Sequence, residues 1–145
     1  MKSLIFTNMP MEHEQMPPDK EIVRRNLFSN NVGNEYFFNG VVKTLNCDEN
    51  TITRYSDKID EKEFDMALLI NANQIKNEYQ NAKQQYETVK KFDIPFTCMC
   101  VGSDSNPNFE LSLNDETREV IYDLYSEVLN RSTTMGVRGE WTKKV

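Results

Sequence analysis

The sequence predicts an α/β domain with a parallel sheet and helices on both of its faces. Two nearly continuous apolar runs, residues 64–70 (FDMALLI) and 94–101 (IPFTCMCV), have the pattern of strands that are buried on both sides. Each run is followed by a polar turn and then by apolar residues at helical spacing. Because parallel strands need crossover connections, this alternation predicts a Rossmann-like, three-layer parallel sheet with right-handed crossovers.

The remaining elements follow from short β-branched runs and from helical periodicity. We predict strands at residues 2–8, 51–55 and 132–138, and helices at residues 33–45, 77–92 and 115–130 and from 139 onward. Asn114 is a suitable N-cap for the third helix, and Leu129 is among the residues that this helix is expected to bury. Residues 9–29, with three prolines, are predicted to form an irregular loop.

The composition narrows the classes of function. The chain has 145 residues, of which 38% are hydrophobic and 28% charged, as expected for one domain with a core. Its net charge of -6 disfavours non-specific binding to nucleic acid or to anionic membranes. No apolar run is long enough for an integral membrane segment, and residues 1–6 are too short for a signal peptide. We therefore expect a cytoplasmic protein.

Cysteine and histidine usage argues against a metal site. The chain has three cysteines and no secretion signal, which indicates reduced thiols. Cys98 and Cys100 are two residues apart in the run 94–101, so a strand would place both on one face as small hydrophobic residues. His13 is the only histidine and lies in a polar loop, and zinc would need further ligands. We predict neither a metal nor a cofactor.

The loops at the carboxyl edge of the predicted sheet form the candidate ligand site. There are four such loops, one that starts at residue 8 and three at residues 71–74, 102–106 and 138–140. Residues 30–35 (NNVGNE) are expected to begin a helix at the same edge. A helix start presents unpaired N–H groups, and Asn, Gly, Ser and Asp suit a polyhydroxyl or phosphorylated ligand. The same residue types also build ordinary turns. No dinucleotide fingerprint, P-loop or nucleophile elbow is present in the sequence.

Four segments, in order, resemble the polysaccharide pyruvyl transferase family. Residues 30–35 resemble its N-x-G-N element before an apolar helix, and residues 64–74 its strand followed by a small-residue loop. Residues 94–102 resemble a strand that begins Ile-Pro and ends before a glycine. Residues 137–142 are similar to its x-R-G-E-x-T segment, the most specific of the four. Together they cover nearly the whole chain.

The helix predicted from residue 139 stops about two turns in, so we expect residues 1–145 to be a single Rossmann-like domain that is truncated at its C-terminal end. The resemblance implies a GT-B-like architecture of two Rossmann-type domains. It implies transfer of a pyruvyl group from phosphoenolpyruvate to a sugar of a surface or exopolysaccharide precursor. The donor-binding groups and the acid and base of that reaction are expected largely in a second domain. The catalytic residues are therefore unknown, and the isolated chain is expected to be inactive. Residues 71–73 depart from the glycine-rich turn of many relatives.

The substrate-binding candidates that the resemblance implies are Asn34, Asn73, Arg138 and Glu140. Arg138 would be an anion anchor with Glu140 near it, or the two would form a structural pair at a helix start. Asn34 and Asn73 would be loop or sugar contacts. The alternative function is a non-catalytic α/β ligand-binding or interaction module. A receiver or flavodoxin-like domain is the third interpretation, and is less favoured because Asn71, not aspartate, follows the strand at 64–70.

Overall fold

The computed structural model describes residues 1–7, 20–21, 24, 33–55, 59–60, 63–70, 74–104, 108 and 110–144, with the backbone alone for residues 33–37 and 141. These residues contain four strands and four helices longer than one turn. The strands are β1 (Lys2–Phe6), β2 (Glu49–Thr53), β3 (Met66–Ile70) and β4 (Phe96–Met99). The helices are α1 (Gly33–Thr44), α2 (Tyr79–Lys91), α3 (Asp115–Arg131) and α4 (Glu140–Lys144).

The strands form one parallel sheet in the order β2-β1-β3-β4. Beyond β4, Val101 and Val137 form a further parallel bridge, so residues 136–138 continue the sheet at its outer edge. We call residues 134–138 the edge segment. The predicted parallel α/β fold is confirmed, and the order is that of a doubly wound sheet. The predicted strand at 51–55 is displaced, because β2 pairs with β1 over Glu49–Thr53.

The two faces of the sheet bury separate clusters. Leu4 and Phe6 of β1 belong to a large cluster covered by α2 and α3, whereas Ile5 belongs to a small cluster covered by α1. This alternation follows from the two-residue period of a strand. Because β2 and β4 lie on opposite sides of the β1–β3 pair, crossovers of one hand must place α1 and α2 on opposite faces. The three predicted layers are therefore present.

Aromatic rings fill the centre of the large cluster. Phe6 is 1% exposed, and its ring centroid lies 5.5 Å from that of Tyr55, 5.5 Å from Phe92 and 5.8 Å from Phe96. Tyr55 belongs to the connection between β2 and β3, which crosses the same face as α2. The end of β1 is thereby fixed against three other segments of the chain.

Leu129 is 48% exposed, so the prediction that α3 buries it is wrong. The buried residues of α3 are Thr117, Val120, Ile121, Leu124 and Val128. Leu129 follows Val128 by one position, which rotates it about 100° around the helix axis and away from the sheet. Helical periodicity predicted which side of the helix is apolar, but only the packing decided how wide the buried part of that side is.

Cys98 and Cys100 lie on opposite faces, so the prediction of one shared face is wrong. Cys98 is 2% exposed within the large cluster, while Cys100 packs against the small cluster. Gly136 donates to the Cys98 carbonyl at 2.8 Å and accepts from the Val101 N–H at 3.0 Å. A regular parallel ladder would join residues two apart, so one extra residue makes a β-bulge here. Cys100 occupies it with a left-handed φ of 66°.

Candidate functional site

The carboxyl edge of the sheet contains a topological switch point between β1 and β3. The chain leaves β1 for β2 on one side, whereas β3 continues to β4 on the other. Open α/β sheets bind ligands at such a point, and we call the space between the carboxyl ends of β1 and β3 the crevice. Thr7 is fully buried here and donates its N–H to the Thr53 carbonyl at 3.1 Å. Because α1 connects the carboxyl end of β1 to the start of β2, its first turn also lies at this edge.

The loops after β3 and β4 are joined beyond the regular strands. Ile75 donates its N–H to the Gly102 carbonyl at 2.9 Å, and its own carbonyl accepts from the Asp104 N–H at 2.9 Å. These two bonds enclose Ser103, the parallel partner of Ile75. The Ser103 Oγ is buried and has no hydrogen-bond partner among the described residues. The described parts of the two loops therefore form one wall, which carries a buried polar atom without a partner.

A polar cavity of about 510 Å³ lies beside this wall, toward the start of α3. The residues that line it combine two cations, two carboxylates, an amide and a hydroxyl with two leucines. They are Lys76, Asn77, Asp104, Glu110, Leu111, Ser112, Leu113 and Arg118. We call it the polar cavity.

Part of the charge around the polar cavity is already paired. Lys76 forms an ion pair with Glu78 at 2.9 Å, and Arg118 forms one with Asp115 at 2.8 Å. Asn77 accepts the Asn114 N–H through its side-chain oxygen at 3.1 Å. These contacts orient donors and acceptors around the cavity without leaving a strong net charge. Such a mixture suits a neutral polyhydroxyl group better than a dianion.

Arg138 follows the bulge on the outermost segment of the sheet. Its backbone N–H donates to the Val101 carbonyl at 2.8 Å, and its side chain is exposed. Burial raises the pKa of the Cys100 thiol, and the positive charge of Arg138 opposes part of that rise.

The structure places the predicted site residues at several positions along one edge. Asn34 is the second residue of α1, where the backbone alone is described, and Asn73 lies outside the described residues. Arg138 and Glu140 share the junction between the edge segment and α4, and both are exposed. The centre of the crevice and the edge segment are 2.5 strand spacings apart, or about 12 Å. Arg138 thus lies to one side of the crevice.

Sequence reasoning missed three features of this edge. The bulge at Cys100 had no signal, since a left-handed residue is usually glycine or asparagine. Ser103 was within a predicted polar turn, but nothing in the sequence indicated that its hydroxyl would be buried. Lys76 and Arg118 both line the polar cavity although they are far apart in the chain, which only the packing of the loops on α3 could reveal.

The described part of the chain contains neither a cluster of metal-binding side chains nor a helix suited to span a membrane. No group of three or more His, Cys, Asp or Glu side chains is arranged to hold a metal ion among these residues, and His13 is outside them. Within the same residues no helix is both long and apolar enough to cross a membrane.

Comparison of the chain with protein-family models, with curated proteins and with solved structures finds no match. The geometry of the carboxyl edge, and the sequence of the segments that lie there, are therefore the basis for a proposed function.

Proposed function

We propose that this domain is the N-terminal, Rossmann-like part of a pyruvyl-transferase-like enzyme of the two-domain GT-B type. The enzyme would move a pyruvyl group from phosphoenolpyruvate to a sugar of a surface or exopolysaccharide. The observation that carries the proposal is the position of the R-G-E-x-T segment. Val137 pairs with Val101, Arg138 follows at once, and α4 begins at Glu140. The segment is therefore a strand-to-helix junction at the edge where such sheets bind ligands.

The proposed reaction needs cations for the donor and proton transfer for the acceptor. Two sugar hydroxyls form bonds to the central carbon of phosphoenolpyruvate, inorganic phosphate leaves that carbon, and the methylene carbon gains a proton to become a methyl group. A base must take the hydroxyl protons and an acid must supply the proton to carbon. The phosphate and carboxylate need positively charged hydrogen-bond donors.

Arg138 is the group that we assign to the donor. Guanidinium presents a fixed set of N–H donors that matches a phosphate or a carboxylate. On a chain with a net charge of -6, an exposed cation at the carboxyl edge makes a local site for an anion. Its offset of about 12 Å from the crevice leaves room for an acceptor between Arg138 and the first turn of α1, where we propose Asn34 and Asn73 as sugar contacts.

The polar cavity supports the acceptor side of the proposal. Its volume of about 510 Å³ lies in the usual range of ligand pockets. The Asp104 carboxylate and the Asn77 amide supply acceptors and donors of the kind that bind vicinal hydroxyl groups. The acid and base of the reaction are proposed to come from the second domain that the resemblance implies.

Binding of phosphoenolpyruvate tests the donor assignment directly. Isothermal titration calorimetry should be performed on the wild-type chain, on Arg138→Ala and on Lys43→Ala. Lys43 is an exposed cation in the last turn of α1, at the opposite edge of the sheet, so it controls for net charge. Loss of a hydrogen bond to a charged group is worth about 1.5–3 kcal/mol, so Arg138→Ala should weaken binding roughly ten- to hundredfold. Equal weakening by Lys43→Ala would refute the assignment of Arg138.

Turnover tests the transferase proposal itself. Phosphate release from phosphoenolpyruvate should be followed by ³¹P NMR with a panel of sugar acceptors, using both this chain and the full-length natural polypeptide. We expect release only with the full-length polypeptide and a suitable acceptor. If that polypeptide releases no phosphate across a broad panel, the transferase proposal is refuted. Ligand binding without any turnover would instead support a non-catalytic binding module.

A further inference from the structure

A second depression lies on the side of α3 opposite to Glu116, Glu119 and Asp123, and we call it the apolar groove. One wall is the side of α3 that carries Tyr122, Tyr125 and Leu129, and the other wall is the edge segment with Met135 and Val137. Helix α4 borders it through Thr142 and Lys143. The groove has a volume of about 700 Å³. It shares Leu113 and Arg118 with the polar cavity. It is not lined by Arg138, Asn77 or Asp104, the residues that we assign to phosphoenolpyruvate and the sugar.

The apolar groove has the position of a missing helix in the layer that covers the sheet. On this face α2 and α3 lie side by side over β3 and β4. The sheet extends one segment further, to residues 134–138, without a helix of comparable length over that segment among the described residues. Neighbouring helices pack 8–10 Å apart, so an added helix beside α3 would cover both the groove and the edge segment.

The side chains of this surface are more exposed than large apolar residues usually are. Tyr122 is 72% exposed and Leu129 is 48% exposed. Apart from Met1, they are the only large hydrophobic residues exposed among the described residues, and both line the groove. They are seven positions apart, so they lie two turns apart on one side of α3. An apolar stripe of this kind is suited to a helix partner.

The charges around the apolar groove select the chemistry of that partner. The charged residues that line it are Arg118 and Lys143, both cations, although the chain has a net charge of -6. Arg118 is partly neutralised by Asp115, but Lys143 has no ion-pair partner among the described residues. The opposite side of α3 carries Glu116, Glu119 and Asp123 instead. A second copy of this acidic chain is therefore a poorer match than an acidic helix with one apolar side.

We propose that the apolar groove docks an amphipathic α-helix of a partner, with an apolar stripe packed on Tyr122 and Leu129 and with acidic residues near Arg118 and Lys143. The mode is helix-in-groove recognition, in which apolar positions three and four residues apart enter the groove. The acidic residues add attraction and fix the direction of the helix. The surface is an interaction site beyond the proposed transferase chemistry.

Stapled peptides provide a direct probe. Two fluorescein-labelled, 16-residue helical peptides should carry the same leucine stripe and the same hydrocarbon staple on the opposite side, with two glutamates at each end of one and two lysines at each end of the other. The staple keeps both peptides equally helical, so that their charges alone differ. Fluorescence anisotropy should show that the glutamate peptide binds about fivefold more tightly at low salt, and that the difference shrinks at high salt.

Variants of the chain locate the binding surface. Tyr122→Asp and Leu129→Asp should each weaken binding of the glutamate peptide about tenfold, with unchanged circular dichroism because both side chains are exposed. Lys143→Glu should reduce the preference for the glutamate peptide. Glu119→Gln is the matched control on the opposite side of α3 and should leave binding unchanged.

Three results would overturn the proposal. The first is no saturable binding of either peptide, and the second is equal binding by wild type and by Tyr122→Asp. The third is a dimer, detected by sedimentation velocity, that Leu129→Asp disrupts while the peptides do not compete with it, since the occupant would then be a second copy.

Discussion

Replacing Phe6 with leucine tests how the core holds the strand that leads into the crevice. Phe6 is the last residue of β1, and its ring stacks on Tyr55 at 11°, on Phe96 at 14° and meets the edge of Phe92 at 69°. Leucine keeps most of the apolar burial and removes all three ring contacts. The change therefore isolates the aromatic contribution at a fully buried site.

The expected size of the effect follows from those contacts. An aromatic pair adds about 0.5–1.5 kcal/mol beyond its buried area. Phe6→Leu removes three pairs, so at about 1 kcal/mol each it should lower the free energy of unfolding by about 3 kcal/mol. Phe96 makes two of the aromatic contacts, to Phe6 and Phe92, so Phe96→Leu should lower the free energy of unfolding by about 2 kcal/mol. Both variants should remain folded if the domain has an ordinary stability of about 5–15 kcal/mol.

Urea unfolding followed by circular dichroism measures these differences, with equal m-values as the check that the unfolded states are comparable. The matched control is Phe38→Leu, because Phe38 is 5% exposed in the small cluster and has no ring partner among the described aromatic residues. It should lower the free energy of unfolding by less than about 1.5 kcal/mol. If Phe38→Leu is as destabilising as Phe6→Leu, the aromatic contacts do not hold the end of β1.

Three further predictions concern stability and reactivity. Asn114→Ala removes a 2.7 Å hydrogen bond from a first-turn N–H of α3 and should lower the free energy of unfolding in urea by about 1 kcal/mol. Burial raises the pKa of the Cys98 thiol, so Ellman's reagent at mildly alkaline pH should label Cys47 first and Cys98 only on unfolding. Burial also raises the pKa of the Tyr125 hydroxyl above its ordinary 10.0, with negative charge on Cys98 and Tyr55 adding to the rise. The stability that the raised pKa of Tyr125 adds is complete below pH 10.0 and is lost as the pH rises further. Phenylalanine does not titrate, so the thermal midpoint of Tyr125→Phe should fall less steeply than that of wild type above this pH.

Each of these predictions has a clear contrary result. Asn114→Asp retains a capping oxygen and should behave like wild type, so equal destabilisation by Asp and Ala would exclude capping as the cause. Labelling of folded Cys98 as fast as Cys47 would contradict its burial. If the thermal midpoints of wild type and Tyr125→Phe fell in parallel above pH 10.0, the pKa of Tyr125 would not be raised in the folded protein.

The strands and helices were predictable because their apolar spacing is strong. The predicted helix over residues 115–130 is α3, at Asp115–Arg131, and its predicted N-cap Asn114 accepts the expected bond. The strand predicted at 64–70 is β3, at Met66–Ile70. Local preference and burial agree in these segments, so a single sequence carries enough information to place them.

The errors occur where the partner of a residue decides its structure. The predicted strand at 51–55 was displaced because its ends are set by pairing with β1, over Glu49–Thr53. Cys98 and Cys100 were separated by a bulge that pairing with Gly136 creates. Leu129 was assigned to the core because periodicity alone does not show how much of a helix surface its neighbours cover.

The sequence by itself determined the α/β class, the alternation of strands and helices, and the set of polar loops that follow the strands. Those features depend on residue type and on the spacing of residues that are close in the chain, and a sequence shows both directly. Only the tertiary structure decided the strand order, the bulge at Cys100, the polar cavity that brings Lys76 to Arg118, and the apolar groove beside α3. These depend on contacts between residues far apart in the chain, and the free energy of such contacts is set by packing rather than by local preference.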